Sequence, residues 1–459
     1  MINKIQIHDI ANEIISDFKS HYLNSNGLIS LTYPPTDRLI FDHFDDIAPF
    51  FIYFGEEEFL LNQVRILKEY KYETILKRND LIYSYLIDEY LGGLYILWKQ
   101  TRSNIVKEQL DIAVDKTINL FIYENDLYMV YDIYQNKIIK QRSYRSAGIL
   151  ETFLEMSSDY PRLGELATSI SEKWMDSKYF HKYGLFPYKE KTESRDRLYR
   201  KLIPNLKPLL FHQIQIIRSD STIKTIAKKI VNFYYYHIQS DNYTFLFKDN
   251  STFIFTLIEL YRKTSDIRYK DLIEKWIESV KNLLIDDNVL YGQFLAPKKK
   301  WDTSVNHTFI YIDILIDYYC FIEKKESYLD LVKKLIDKRV VLDNGEAFVL
   351  TKLRSSIMHI DNSIDLAISI RRYGEVVNSK YYTDISVNII LTTLKYHKTN
   401  IGFCTLIDKK YLTDAKINNK SKIIDPKYNG LLLKALICLL TVDKSIYESK
   451  ELHDLFKDR

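Results

Sequence analysis

A short turn motif recurs along this 459-residue chain and constrains its fold more than any other feature. In each copy Asn, Asp or Gly follows an amphipathic helical stretch and precedes apolar or aromatic residues. Asn and Gly tolerate the left-handed backbone that ends a helix, and the apolar residues can then fold back against the helices. The eight copies begin at Asn26, Asn79, Asn125, Tyr183, Asn242, Asn288, Asn344 and Asn400.

The spacing of these turns predicts a repeat of two helices. The copies recur at intervals of roughly 45 to 60 residues, the length of a helix, a turn, a second helix and a loop. In segments 92–128, 146–186 and 250–291, the first helix is apolar almost all round. The second has apolar residues at three-to-four spacing, with Lys and Glu opposite. This pattern predicts alternating inner and outer helices.

The two ends of the chain predict a closed ring. The first helix, Ile5–Phe18, has outer character and no inner partner before it, whereas Tyr428–Leu440 reads as an inner helix with little after it. Pairing them would close the ring, while an open stack would need polar capping repeats at both ends. We therefore predict an all-α fold, a closed (α/α) barrel or toroid of six to eight helical hairpins, forming a single domain over residues 1–459. The other predicted inner helices include Asp45–Phe54, Pro204–Ile217, Asn306–Phe321 and Asn362–Tyr373.

Composition excludes several classes of function. The chain has 65 Lys and Arg against 61 Asp and Glu and no run of five basic residues, so no nucleic-acid partner is expected. No apolar run approaches the roughly 20 residues that cross a bilayer, so no membrane association is expected. Segment 1–21 reads as an amphipathic helix rather than a secretory signal, which predicts a cytoplasmic location. Three distant cysteines predict neither a disulfide nor a zinc framework.

The repeat resembles a known group of enzymes. Inner and outer helices alternate, with a Thr-x-Asp-x-x-Tyr break such as Thr264 to Tyr269 and a Gly-Leu-Phe turn at Gly184. This arrangement is similar to the (α/α) toroid enzymes, the six- and seven-hairpin glycosidases with their epimerase and lyase relatives. The resemblance covers nearly the whole chain, and it implies a carbohydrate-active enzyme.

A narrower, partial resemblance is to the class I alpha-mannosidases. Leu91-Gly92-Gly93-Leu94, and segment 147–157 followed by Gly184-Leu185-Phe186-Pro187, are similar to parts of that family. The family's catalytic pattern does not follow. Its acidic residue before the Leu-Gly-Gly-Leu helix corresponds to Tyr85 here, with Asp88 and Glu89 nearby, and its Thr-Glu-Ala-His-Pro calcium-binding segment is missing. No metal and no cofactor are therefore predicted.

Acidic residues before or at the start of the predicted inner helices are the catalytic candidates. In such rings these loops line one mouth of the barrel. Glycoside hydrolysis needs one protonated and one ionised carboxyl group, about 5 Å apart for retention and about 6.5 to 9.5 Å for inversion. Asp45 and Asp361 have an alternative role as N-caps of their helices. The predicted catalytic residues are Asp46, Glu89, Asp302 and Asp361.

Other polar and aromatic residues near the same loops are candidates for substrate binding. Three carboxylates and an imidazole in segment 42–46 exceed what one helix cap needs. An aromatic platform beside a polar side chain suits a sugar, and an arginine can hold a sugar carboxylate or phosphate. No His-x-x-x-His metal spacing is found. The predicted substrate-binding residues are Asp42, His43, Arg145, Tyr188, Trp301 and His307.

Three functional hypotheses follow from these residues. The first is a glycoside hydrolase with paired carboxylates at the loop mouth, acting on an oligosaccharide or glycoconjugate. The second is a sugar epimerase or isomerase, or a polysaccharide lyase, in which His43 or His307 is the base. The third is a non-catalytic scaffold that binds a glycan or a protein. The sequence leaves the oligomeric state open.

Overall fold

The structure is a computed structural model, and its chain forms two compact units. The first unit contains segments 1–77, 89–116 and 336–459, and the second contains segments 78–88 and 117–335. The single-domain organisation stays a prediction. The residues that the structure describes are 3–140, 146–176, 186–187, 202–203, 244–291, 293–295, 300–301, 307–351, 356–408 and 423–456.

Helices dominate the described part of the chain. None of them is long and apolar enough to span a bilayer, and the cytoplasmic location stays a prediction. The helices are α1 (Lys4–Ser20), α2 (Phe44–Tyr53), α3 (Glu57–Leu67), α4 (Tyr72–Ile75), α5 (Ile87–Thr101), α6 (Asn104–Phe121), α7 (Ala147–Glu155), α8 (Pro161–Met175), α9 (Phe247–Thr264), α10 (Ile267–Leu284), α11 (Thr308–Phe321), α12 (Glu326–Arg339), α13 (Ile360–Val376), α14 (Lys380–His397), α15 (Pro426–Leu440) and α16 (Lys450–Phe456).

Short antiparallel strands connect the helices. In the second unit β2, β5 and β6 form consecutive neighbours of one sheet, and β9, β12 and β13 form another. The strands are β1 (Lys77–Arg78), β2 (Leu81–Tyr83), β3 (Ile122–Tyr123), β4 (Asp126–Leu127), β5 (Val130–Asp132), β6 (Lys137–Ile139), β7 (Phe186–Pro187), β8 (Leu202–Ile203), β9 (Thr244–Leu246), β10 (Ile285–Asp286), β11 (Val289–Leu290), β12 (Gln293–Leu295), β13 (Lys300–Trp301), β14 (Val340–Asp343), β15 (Glu346–Val349), β16 (Ile357–His359), β17 (Lys398–Thr399), β18 (Gly402–Phe403) and β19 (Leu406–Asp408).

The recurring turn of the sequence is a helix end joined to a small hairpin. Directly after α6, α10, α12 and α14, the chain forms the strand pairs β3–β4, β10–β11, β14–β15 and β17–β18. Asn125, Asn288 and Asn344 have φ between 49° and 60°, as the predicted left-handed turn requires. Two-residue hairpins favour such residues because left-handed turn backbone matches the twist of the strands. The hairpin itself was not predicted.

The second unit contains helix pairs of the predicted kind. Helix α9 packs against both α10 and α11, and α7 packs against α8. Helix α11 is buried almost all round, as the sequence predicted for an inner helix. Its Tyr311 hydroxyl donates to the carbonyl of Ile277 on α10 at 3.0 Å. Trp174 at the end of α8 donates from Nε1 to Asp126 at 3.0 Å, so the helix is also bound to a hairpin.

In the first unit, α15 is the central inner helix. It packs against α1, α2 and α13, so the predicted contact between the first helix and the last inner helix is confirmed. A Cβ atom at Gly430 would lie 2.6 Å from Ile47 of α2, hence only glycine allows this approach of α15 to α2. A Cβ atom at Gly93 of α5 would likewise lie 2.5 Å from Phe44. The Leu-Gly-Gly-Leu motif thus serves helix packing.

A buried arginine secures the end of α15. Arg371 of α13 is 1% exposed, and its Nη atoms donate to the carbonyl groups of Cys438, Thr441 and Lys444 at 2.6 to 2.8 Å. Its Nε donates to Glu375 at 3.0 Å. A helix leaves its last carbonyl groups without partners inside the helix. Arg371 satisfies these carbonyl groups and ties α13 to the end of α15.

We expect Arg371→Met to lower the free energy of unfolding by about 3 kcal/mol or more, because it leaves buried carbonyl groups and the Glu375 carboxylate without their donor. Equilibrium urea unfolding followed by circular dichroism measures this change. Arg65→Met on α3 is the matched control, since Arg65 pairs with Glu58 on the surface. Equal losses in both variants would contradict the role given to Arg371.

The last residue of α14, His397, is a buried histidine that makes the stability of the fold sensitive to acid. His397 is fully buried, and its Nδ1 donates to the carbonyl of Cys404 at 2.7 Å. Burial lowers the pKa of His397 to about 4, against 6.5 when the chain is unfolded. His397 binds a proton more tightly in the unfolded chain than in the folded one. The contribution of neutral His397 to folding stability is therefore complete above pH 6.5 and is lost as the pH falls towards 4.

We expect this histidine to account for about 3 kcal/mol of stability lost between pH 7 and pH 4, since one pKa unit corresponds to about 1.4 kcal/mol. His397→Gln keeps a donor for the Cys404 carbonyl but does not titrate. Urea unfolding at several pH values should therefore show a shallower decline for His397→Gln than for the wild type. Parallel declines in the two proteins would refute the assignment.

Candidate active site

A short 3-10 turn, Ile40–His43, leads directly into α2 and carries the first polar residues of the site. Asp42 is 5% exposed, and Arg38 lies 4.0 Å from its carboxylate. His43 is the residue before α2, and Asp46 lies in the first turn of that helix. The turn places the imidazole of His43 and the carboxylate of Asp46 on the same side of the chain, where Nδ1 and Oδ2 are 3.7 Å apart.

His43 forms a short hydrogen bond with a carboxylate from another helix. Its Nδ1 lies 2.5 Å from Oε2 of Glu89, near the start of α5. Its Nε2 lies 3.9 Å from Oδ1 of Asp42, which is too far for a hydrogen bond. The side chain of His43 is 20% exposed and that of Glu89 is 32% exposed, so solvent and small solutes can reach both.

A lysine from the last inner helix completes the cluster. Lys427, in the first turn of α15, places Nζ 3.1 Å from Oδ2 of Asp46 and 3.0 Å from Nδ1 of His43. Burial alone would lower the pKa of Lys427, but the charges of Asp46 and Glu89 raise it above its ordinary value. Lys427 is therefore an ammonium donor at physiological pH. We call His43, Asp46, Glu89 and Lys427 the acid–base cluster.

A second set of polar residues continues from the acid–base cluster along α15 and α13. Tyr428 follows Lys427, and its ring packs edge-on against His359, with centroids 4.8 Å apart. Burial lowers the pKa of His359 to about 4, so this imidazole is neutral at pH 7. Burial, followed by the charge of Asp361, raises the pKa of the Tyr428 hydroxyl. Both groups are thus neutral hydrogen-bonding groups.

The capping role considered for Asp45 and Asp361 is wrong. The N-cap positions are occupied by His43 and His359, and each aspartate lies in the first helical turn. At His359 the ring nitrogen Nδ1 accepts the backbone N–H of Asp361, so an imidazole takes the place of the expected carboxylate. Acidic residues in the first turn are still favourable there, because they face the positive end of the helix dipole.

The structure brings four of the sequence candidates together, namely Asp42, His43, Asp46 and Glu89. Lys427 was missed, because it lies 384 residues from His43 and the sequence does not show that the two side chains meet. A lysine in the first turn of an apolar helix was the available signal.

The remaining candidates are not tested. His307 precedes α11 in the second unit, where its ring packs against Phe309. The backbone of Trp301 lies in β13. Asp302, Arg145 and Tyr188 lie outside the described residues. The functional roles of all these residues, and of Asp361, stay predictions.

The donor set of the acid–base cluster could reach one cation. Ligand atoms of His43, Asp46 and Glu89 all lie within 4.8 Å of one another. Imidazole and carboxylate are ordinary ligands of divalent transition metals. However, the ammonium of Lys427 lies beside the same oxygen of Asp46 and the same nitrogen of His43. The ammonium of Lys427 therefore offsets part of the negative charge of Asp46 and Glu89 from within the chain.

Comparison with known proteins identifies the fold. No protein-family model and no curated protein matches the sequence. The structure is similar to a D-mannose isomerase, with a TM-score of 0.51 and 8% identity over 96% of this chain and 98% of that one. It is also similar to an alpha-1,2-mannosidase from Trichoderma reesei, with a TM-score of 0.54 and 11% identity over 94% of this chain and 91% of that one.

These two likenesses confirm the fold class predicted from the sequence, the (α/α) toroid of glycosidase-like enzymes. At such low identity they establish the fold and carry no catalytic residues over to this chain. The number of hairpins stays a prediction, because segment 204–243 lies outside the described residues.

We expect Lys427→Met to destabilise the protein by about 2 kcal/mol or more at pH 7, because the half-buried carboxylates of Asp46 and Glu89 lose their counter-charge. Equilibrium urea unfolding at pH 7 measures the change. Lys395→Met is the control, since Lys395 pairs with Glu346 on the surface. A loss that is equal in the two variants would argue against the counter-charge role of Lys427.

Proposed function

We propose that this chain is a carbohydrate-active enzyme in which the acid–base cluster isomerises or epimerises a reducing sugar. The observation that carries the proposal is the 2.5 Å contact between His43 Nδ1 and Glu89. A carboxylate that accepts from Nδ1 fixes the imidazole with its lone pair at Nε2, which is the arrangement of a general base. The D-mannose isomerase that shares the fold supports a reaction of this class.

The reaction can be written with the residues of the cluster. Nε2 of His43 removes a proton from the carbon beside the carbonyl group of an open-chain sugar, which leaves an enediolate. The ammonium of Lys427 offsets the negative charge that develops on the sugar oxygens. Transfer of the hydroxyl proton from one enediolate oxygen to the other, together with return of the abstracted proton to the neighbouring carbon, gives the isomer. Return of the abstracted proton to the opposite face of the same carbon gives the epimer.

Glycoside hydrolysis is the second candidate function, and the spacing of Asp46 and Glu89 favours it. One carboxylate oxygen of each lies within 4.8 Å of the other, so the two groups are near enough for the separation of about 5 Å that retaining glycosidases use. Hydrolysis also needs one protonated carboxyl group, which apolar surroundings or a like charge maintain. The ammonium of Lys427 instead lies 3.1 Å from Asp46, and this favours isomerisation. The alpha-1,2-mannosidase that shares the fold supports hydrolysis.

Incubation in D₂O with a panel of aldoses and ketoses, followed by proton NMR, tests the isomerase. We expect the wild type to convert one sugar and to incorporate deuterium beside its carbonyl group. His43→Gln should lower this rate by a factor of about 100 to 10,000, the usual contribution of a general base. His8→Gln, which changes an exposed histidine on α1, should not alter it.

The same proteins are incubated with oligosaccharides to test hydrolysis. Release of new reducing ends, lost in both Asp46→Asn and Glu89→Gln but retained in His43→Gln, would favour the glycosidase. Binding of a glycan without turnover, unaffected by alanine at all the acidic candidates, would favour the non-catalytic scaffold. If no sugar is exchanged, cleaved or bound, the proposed function fails.

A further inference from the structure

Nδ1 of His43 faces two groups with opposite hydrogen-bonding capacity. Oε2 of Glu89 lies 2.5 Å away and, as a carboxylate oxygen, accepts a proton. Nζ of Lys427 lies 3.0 Å away and, as an ammonium, donates one. An imidazole nitrogen either carries a proton or offers a lone pair. The two contacts therefore belong to two different tautomers of His43.

The ammonium of Lys427 is held beside Nδ1 by contacts of its own. Oδ2 of Asp46 accepts from the Lys427 ammonium at 3.1 Å, while its distance of 3.7 Å from Nδ1 is too long for a bond to His43. The backbone of Lys427 is fixed in turn, because Asp425 caps α15 by accepting the Lys427 N–H at 3.0 Å. An ammonium has three donors, so it can serve Asp46 and His43 together.

We propose that Lys427 is a positioning residue that gives His43 two neutral tautomers, one held by Glu89 and one held by Lys427. In the first, Nδ1–H donates to Glu89 and Nε2 carries the lone pair of a base. In the second, Lys427 donates to the Nδ1 lone pair and Nε2–H is a hydrogen-bond donor. The same ring nitrogen then serves as base and as acid without keeping a charge on the ring.

The exchange between the tautomers balances in protons. When Nε2 takes a proton from the substrate, the ring becomes an imidazolium with N–H at both nitrogens. Breaking the Nδ1–H bond and forming an O–H bond at Oε2 of Glu89 returns the ring to neutrality. Once this O–H group of Glu89 has turned away from Nδ1, Lys427 donates to the vacated lone pair, and the proton taken from the substrate stays on Nε2 for the next transfer. This use of the tautomers rests on the proposed function, whereas their existence does not.

Long-range proton–nitrogen NMR of the full chain labelled with ¹⁵N-histidine tests the inference without substrate. The resonances of a protonated and an unprotonated ring nitrogen are well separated, and His43→Gln assigns the His43 pair by their disappearance. In the wild type we expect both His43 nitrogens at intermediate positions, from exchange between neutral tautomers. Lys427→Met should move Nδ1 to the protonated position and Nε2 to the unprotonated position.

The opposite change is expected when the acceptor is removed. Glu89→Ala should move the Nδ1 resonance to the unprotonated position, because Lys427 remains as a donor to Nδ1. If Lys427→Met does not fold, Glu89→Ala is the variant that tests the inference. Lys427→Arg keeps a cationic donor and should restore the intermediate positions. The control is Lys434→Met, which removes a buried lysine from the same helix as Lys427; Lys434 pairs with Asp365 of α13 at 3.2 Å. The His43 resonances of this variant should match those of the wild type.

Two results would overturn the inference. One is a wild type whose His43 nitrogens already match a single tautomer and do not move in Lys427→Met. The other is a wild type in which both nitrogens are protonated at pH 7.5, as in an imidazolium. Failure of the proposed function would look different. If the NMR spectra show two neutral tautomers but no sugar is turned over, the proposed function fails and this inference stands.

Discussion

The candidate site depends on how closely α15 packs against the helices at the other end of the sequence. Gly430 lets the backbone of α15 approach Ile47 of α2, and Arg371 holds the far end of α15 by its carbonyl groups. Together they fix both the distance and the axial position of the helix. The first turn of α15 then delivers Lys427 to Asp46 and His43. A shift of one residue along the helix would turn this side chain by about 100° and separate the charges.

Charge balance is the second constraint on this site. Asp42, Asp46 and Glu89 gather around one imidazole, and half-buried carboxylates are costly unless a cation or hydrogen-bond donors face them. Lys427 provides such a cation from within the chain. The contacts of Glu89 and Lys427 at Nδ1 of His43 follow from this placement of the lysine.

The fold does not choose between the candidate reactions. An isomerase and a glycosidase share it, because the toroid supplies a scaffold while the loops before the inner helices supply the chemistry. The choice lies in how His43 is held. The isomerisation that we propose depends on the carboxylate at Nδ1 of His43 and on the ammonium beside Asp46.

The sequence by itself determined the helical hairpins, their inner and outer character, the left-handed turns at Asn125, Asn288 and Asn344, and the contact of α1 with α15. These features follow from local backbone preference and from the period of apolar residues, which neighbouring residues reveal. It also singled out Asp42, His43 and Asp46, because they are adjacent. Only the tertiary structure decided that Glu89 and Lys427 meet at one nitrogen of His43, and that His43 and His359 stand at the N-cap positions. Contacts between residues hundreds of positions apart depend on the relative positions of packed helices to within fractions of an ångström. The period of apolar residues in the sequence does not determine those positions.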